Sequence, residues 1–343
     1  MDKVLKFAEK INMRAILRTK AGKNFSTMKV ETIESPEVKP GELKISMVSS
    51  RINPVDMDLM KGFPTLKYKN PQIGGIDGAG IVLETGQGVS DFRAGDKVFF
   101  YRLFSDIGTW AEVITIKAIH CAKVPENIDI QEAGAIALPL LTAFDSLQQF
   151  NAKRGEKLLI HGVGGGVGFQ ALQLAKLMGL YVIGTASQKD RVALEEAGLD
   201  LFIDYRTRDF TQVLRPGEVN FVFDTLGDEV LKKSIALLPS KIFSVKFVDP
   251  RNMHKAGVSL PGFLKWMMNL MMRKFTGIAE KNKVALVGQV TGADGVLLQK
   301  AANMLSQKFI SRKYETIALS EIAVRGLSGS DAGKVILFRE TGY

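Results

Sequence analysis

The chain holds a single cysteine in 343 residues. An intrachain disulfide is therefore excluded, as is a Cys-rich zinc lobe. Such scarcity points to a reducing compartment and a cytoplasmic protein. The lone thiol, Cys121 in "AIHCAKV", reads as a small strand hydrophobe rather than a nucleophile. Histidine is scarce too: His120, His161 and His254 stand at unrelated places. His161 ends an apolar run and reads as a local packing or hydrogen-bonding residue. No apolar run is long enough to span a bilayer. The most apolar stretch, Pro261 to Phe275, is broken by Lys265, Asn269, Arg273 and Lys274. The opening "MDKVLKFAEKIN" is charged throughout and lacks the apolar segment of a signal peptide.

What is present is an ordinary folded composition, 46% hydrophobic and 24% charged, with length for one large or two ordinary domains. Lys and Arg number 46 against 36 Asp and Glu, a net charge of +10. That balance favours anions. The excess is scattered, and no aromatic–basic RNA-binding motif is visible, so nucleic acid is not an expected partner. A few of these charges suffice for a phosphate-bearing cofactor.

Three zones follow one another. From Met13 to Leu138, short runs such as "MRAILRT", "ELKISMVSSRI", "GAGIVLETG", "DKVFFY" and "WAEVITI" alternate with turn signals, a barrel-like pattern. Gly95–Asp96 is the turn pair before "KVFFY". From Pro139 to Val290, six apolar runs alternate with helical segments: "KLLIHG", "YVIGTA", "LFIDY", "NFVFDTL", "KIFSVK" and "VALVGQV". That alternation predicts a doubly wound parallel sheet. The remainder offers a helix, "GVLLQKAANMLSQ", and the strands "KYETIAL" and "GKVILF". The expected segments are 1–138, 139–290 and 291–343, the last returning to the first.

The first run of the middle zone leads into "GVGGGVG" and then a helix, "FQALQLAKLMG". Glycine admits positive φ and close approach to the backbone. A helix N-terminus presents unpaired N–H groups and a positive dipole end. The turn is thus a dinucleotide-site candidate, although its first template glycine is Val163. After the second run, the position where NAD sites place an acid falls on Thr185–Ala186. Ser187, Lys189 and Arg191 follow. Small and basic groups there suit a 2′-phosphate and hence NADP(H). The plain alternative is a helix start capped by Ser187 with two solvated cations.

These stretches resemble the zinc-free branch of the medium-chain dehydrogenase/reductases, the quinone oxidoreductase and enoyl reductase group. "RINPVDMDLMKG", "PQIGGIDGAGIVLETG", "LPLLTAFDSL" and "LLIHGVGGGVGFQALQLAK" carry the likeness. The resemblance implies a Rossmann domain and a GroES-like β-barrel catalytic domain that is split in sequence, with cofactor and substrate in the cleft between them. It implies Asn53 beside the nicotinamide and Thr142 on the cofactor. Gly165, Gly166 and Val167 form the pyrophosphate turn. It implies Ser187, Arg191 and Tyr205 around the 2′-phosphate, where Lys189 also stands as a basic candidate. Thr225 and Leu226 lie near the adenosine ribose, and Lys334 near the pyrophosphate. It further implies a homodimer paired through a Rossmann edge strand.

Zinc relatives place a Cys and a His where this chain has Asn53 and Ile76, so no metal is expected. The implied chemistry is hydride transfer from NADPH to a hydrophobic quinone or enone, with an alternative as an NADP-binding scaffold or sensor of little catalysis. Several relatives carry a Tyr after the Asn-Pro-x-Asp motif. Here Asp58 or Phe63 stands near that place. The proton donor is then Tyr101, Lys61 or a water, and Asp56 is structural. The segment Asp249 to Lys283 is a substrate lid, a helix packed on the core or a dimer mate, or a basic helix on a membrane surface.

Overall fold

The structure, a computed structural model, describes residues 12–18, 28–62, 66, 71–106, 108–327 and 331–338. Phe63 lies outside the described residues. Strands β1 (Asn12–Arg18), β2 (Met28–Glu34) and β3 (Glu42–Arg51) lead to helix α1 (Pro54–Lys61). Next come β4 (Gln72–Ile73), β5 (Asp77–Thr85), β6 (Lys97–Tyr101), β7 (Val113–Lys117) and β8 (Cys121–Lys123). β1 pairs antiparallel with β2 and β4, and β3, β5, β6 and β8 run side by side in a second sheet, with β7 on β3. Gly95 takes φ +90° immediately before β6, as the turn pair requires. Trp110, Phe99, Phe100 and Tyr101 are fully buried in the main core. Cys121 is buried in β8, where burial pushes its thiol pKa up.

Helix α2 (Ile130–Gln148) contains the expected join at 138/139. Asp129 caps it, accepting from the Gln131 amide at 2.7 Å. It packs on β3, β5 and β6 and also on α3 (Gly166–Leu177), which ties the two halves together.

After α2 the chain alternates. The strands are β9 (Lys157–His161), β10 (Tyr181–Ala186), β11 (Leu201–Asp204), β12 (Phe221–Asp224), β13 (Lys241–Ser244) and β14 (Ala285–Gly288). The helices are α3, α4 (Arg191–Glu196), α5 (Phe210–Val213), α6 (Asp228–Ile235) and the long α7 (Gly262–Lys281). All six expected runs form one sheet of parallel pairs in the order β11-β10-β9-β12-β13-β14. Counted from β9 this is 3-2-1-4-5-6, the Rossmann order, with its switch point beside β9. The runs are apolar on both faces because helices cover both faces. α8 (Gly295–Leu305), β15 (Thr316–Ala318), α9 (Leu319–Arg325) and β16 (Val335–Leu337) follow, and β16 returns to pair with β3.

The segment 249–283 forms a short 3-10 turn and then α7. Met272, Phe275 and Ile278 of α7 pack on the Rossmann sheet. Among the described residues no helix is long and apolar enough to cross a membrane.

Candidate active site

The turn after β9 begins at Gly162, with φ +69°. Its carbonyl accepts from the Gly165 amide at 2.9 Å, and Gly165 is the N-cap of α3. Gly168, one turn into the helix, lies so close to this carbonyl that a Cβ would stand 2.4 Å from it. Val163 takes the place of the missing glycine because β10 makes room for it. A Cβ on Gly184 would stand 2.6 Å from Val163 Cγ1. The departure from the template is thus compensated on the neighbouring strand.

Two arginines close on this turn. A Cβ at Gly166 would lie 3.1 Å from the Arg51 guanidinium carbon, and Arg312 Nη1 donates to the Gly164 carbonyl at 2.5 Å. Arg51 ends β3, two residues before Asn53. Its guanidinium lies over the Tyr314 ring, and burial lowers its pKa. Arg312 lies over Phe169 and pairs with Asp190 at 3.3 Å. The first-turn amides of α3 and these cations form an electropositive cradle. That donor set fits a pyrophosphate.

Asp190 also accepts from the Ser187 hydroxyl at 3.0 Å. Ser187 therefore donates to a carboxylate and makes no capping bond to the helix start. Lys189 is exposed. Arg191 reaches Glu195 at 2.7 Å and lies over Phe202. Tyr205 is exposed, with its amide on the Ala186 carbonyl. Thr225 donates to the His161 carbonyl at 2.8 Å, and Leu226 is exposed beside it. Lys334 pairs with Asp331 at 3.2 Å. Its carbonyl accepts from the Ile52 amide at 2.9 Å, just after β3.

Asn53 caps α1. Its amide N–H donor meets Asp77 Oδ1 at 2.9 Å, and its backbone N–H donates to Asp56 at 2.7 Å. Asn53, Asp56 and Asp77 are all buried. Burial raises Asp77 to about 7, offset in part by the Leu138 amide and by Arg51. Burial and the neighbouring Asp77 hold Asp56 well above the usual carboxylate range. Asp77 pairs across the sheet with Tyr101. The Tyr101 hydroxyl donates to the Thr291 carbonyl at 3.3 Å, and burial pushes its pKa up. Thr291 Oγ1 donates to Thr142 Oγ1 at 3.0 Å. Lys61 is on the surface, paired with Asp58.

The histidines stay apart. His120 contacts the Ala293 carbonyl and His254 the Arg251 carbonyl. His161 is buried between Thr185 Oγ1 at 3.0 Å and Ser234 Oγ at 2.9 Å. Ser234 donates its one proton to the Val230 carbonyl, so His161 carries its proton on Nε2. Burial lowers His161 to about 4. Among the described residues no group of three or more His, Cys, Asp or Glu could hold a metal ion. Arg51, Asp77, Asp190, Thr291 and Arg312 are site residues that the sequence did not single out. Arg51 and Asp77 lie inside motifs already quoted, and Asp190 stands between Lys189 and Arg191. Arg312 and Thr291 carry no local signal.

Residues 39–126 match the alcohol dehydrogenase GroES-like domain model, and residues 166–241 the zinc-binding dehydrogenase model. The chain is 31% identical to the quinone oxidoreductase of Sus scrofa over 234 residues, covering 67% of each chain. It is 33% identical over 208 residues to the synaptic vesicle membrane protein VAT-1 homolog of Homo sapiens, covering 59% of this chain. The chain spans about half the length of that relative (52%). The solved quinone oxidoreductase from Coxiella burnetii superposes with a TM-score of 0.79 at 25% identity, over 96% of this chain and 100% of its own.

Proposed function

We propose that this chain, which belongs to the quinone oxidoreductase-like group of the medium-chain dehydrogenase/reductases, passes hydride from NADPH to a quinone or α,β-unsaturated carbonyl. The observation that supports this reading is the packing of Arg51, two residues before Asn53, against Gly166 of the glycine turn. Gly165, Gly166 and Val167 would hold the pyrophosphate through their amides, with Arg51 and Arg312 balancing its charge and Lys334 nearby. Ser187, Lys189, Arg191 and Tyr205 would surround the 2′-phosphate, and Thr225 and Leu226 the adenosine ribose. Thr142 and Asn53 would orient the nicotinamide. When bound, the dihydronicotinamide supplies the hydride.

Asn53 cannot swing freely, since Asp77 holds its amide and Asp56 its backbone. It therefore offers a fixed dipole at the reacting face. The zinc-independent reading rests on the donor set: Asn53 and Ile76 are poor ligands for zinc. Charge that gathers on the acceptor oxygen needs a donor. The Thr142 hydroxyl is the proposed source, and Tyr101, whose proton lies on the Thr291 carbonyl, is the alternative. The Tyr101 proton points at Thr291, and that commitment favours a second reading, an NADP-binding protein with little turnover. A reducing, cytoplasmic setting and a homodimer complete the proposal.

The test is NADPH oxidation against benzoquinone, phenanthrenequinone, hexenal, octenone and crotonyl-CoA, with NADH and EDTA arms. Turnover with NADPH that EDTA leaves unchanged is expected. Tight NADPH binding with no turnover on the panel would support the binding role. Activity lost to EDTA and restored by zinc would overturn the metal-free chemistry.

A further inference from the structure

Helix α7 presents a second apolar stripe that the fold does not use. Its inner line, Met268, Met272, Phe275 and Ile278, packs against the body of the protein. Its outer line is Phe263, Trp266, Met267, Leu270 and Met271, at successive spacings of three, one, three and one. That is one continuous face of a helix. These side chains are exposed by 70%, 60%, 38%, 50% and 68%. Phe263 and Trp266 stack with ring centres 6.0 Å apart. Among the described residues the other exposed large apolar side chains are scattered along the sequence.

Cations dominate this segment. No Asp or Glu occurs from Pro250 to Ala279, while Lys255, Lys265, Arg273 and Lys274 do; Arg251 is paired with Asp249. Lys274 and Lys281 continue the line of the outer stripe by helical spacing. A second copy laid on this face through a two-fold axis would set cations against cations or neutral groups, because Glu280 is the helix's one acid. An anionic bilayer answers both features: headgroups neutralise the Lys and Arg side chains, and the interface takes Trp, Phe, Leu and Met.

We propose that α7 docks this protein on anionic membrane surfaces, lying in the interface plane with Phe263, Trp266, Met267, Leu270 and Met271 facing the lipid. The helix does not span the bilayer. Lys265 at its N-terminal end lines a cavity of about 250 Å³ with Arg251, His254 and Leu260. Met268 and Phe104, the latter three residues after Tyr101, pack against the same apolar cluster as Leu260. Docking therefore brings the bilayer close to the side of the molecule where the two halves meet.

The experiment is vesicle co-sedimentation of the full chain, with phosphatidylserine–phosphatidylcholine vesicles against phosphatidylcholine alone, at about 50 mM and about 500 mM salt. Trp110 is fully buried and Trp266 is the other tryptophan, so the emission change reports on α7. Binding to the anionic vesicles at low salt, with a blue shift, is expected. Leu270→Glu with Met271→Glu, and separately Lys274→Glu, should each lower partitioning roughly tenfold or more. Because these side chains are exposed, thermal unfolding should keep its wild-type midpoint. No binding to anionic vesicles would overturn the proposal, as would binding that the variants retain. Concentration-dependent self-association, abolished by the Leu270/Met271 variant and unaccompanied by vesicle binding, would reassign the face to a second copy.

Discussion

The Arg51 guanidinium fills the space beside Gly166, 3.1 Å from where a side chain at that position would begin. A residue from the strand that leads to Asn53 thus closes the anion cradle at the start of α3. Arg51→Met should weaken NADPH binding by about 10- to 100-fold, the worth of a charge-assisted contact of about 1.5–3 kcal/mol. Fluorescence titration checks this. An unchanged dissociation constant would remove Arg51 from the cofactor site.

Gly168 faces backbone rather than a movable side chain, at 2.4 Å from the Gly162 carbonyl and 2.7 Å from Val163 Cα. Gly168→Ala should destabilise the fold by about 2–3 kcal/mol, the scale of overpacking. Gly166→Ala, whose neighbour is the end of a flexible arginine, should cost less stability and act mainly on nucleotide affinity. Paired urea unfolding and NADPH titrations separate the two.

Asp190 holds the Ser187 hydroxyl and the Arg312 guanidinium at once. Removing its charge takes an anion away from the proposed 2′-phosphate position and loosens its hold on the Ser187 hydroxyl. Asp190→Asn should raise the preference for NADPH over NADH by roughly three- to tenfold, a gain of about 0.6–1.4 kcal/mol. A shift toward NADH would mean that the carboxylate serves a ribose hydroxyl instead.

Two buried groups give opposite pH dependences. Asp77 sits at about 7 against an ordinary 3.8, so the folded state holds a proton that the unfolded state releases. Its contribution to stability is present at low pH and is lost as pH rises between those values. His161 sits at about 4 against 6.5, so the unfolded state takes up the proton first. Its contribution is absent at low pH and is gained as pH rises from about 4 to 6.5. The two slopes oppose each other in the wild type. Asp77→Asn should steepen the rise of the melting temperature with pH across this window, and His161→Gln should turn it toward a fall. Identical profiles for the two variants would refute the assignment.

The Tyr101 hydroxyl is spent on the Thr291 carbonyl. Tyr101→Phe should cost about 1 kcal/mol of stability and leave kcat within about tenfold. A loss of roughly a hundredfold or more in kcat, with a changed pH profile, would show that the phenol delivers the proton.

Much of this was legible along the chain. The six Rossmann strands declared themselves because strands covered on both faces are continuous apolar runs. The glycine turn and the Asn53 motif are short, and each is read within a dozen residues. β2 and β4 were harder. β2 is seven residues of mostly exposed side chains and β4 only two residues, and both take their place from pairing with β1.

The sequence by itself determined the doubly wound sheet, the glycine turn between strand and helix and the absence of Cys or His at Asn53 and Ile76, because each depends on local pattern or on residue type. Only the tertiary structure decided which cations face the turn, that Asp190 takes the Ser187 proton, and that Val163 fits because Gly184 yields to it. Arg51, Gly166 and Arg312 are far apart in sequence, and only the docking of two sheets across α2 brings them together. α7 shows the same division. Its residues mark an amphipathic helix, but which of its two apolar lines is buried depends on how it lies against the Rossmann sheet.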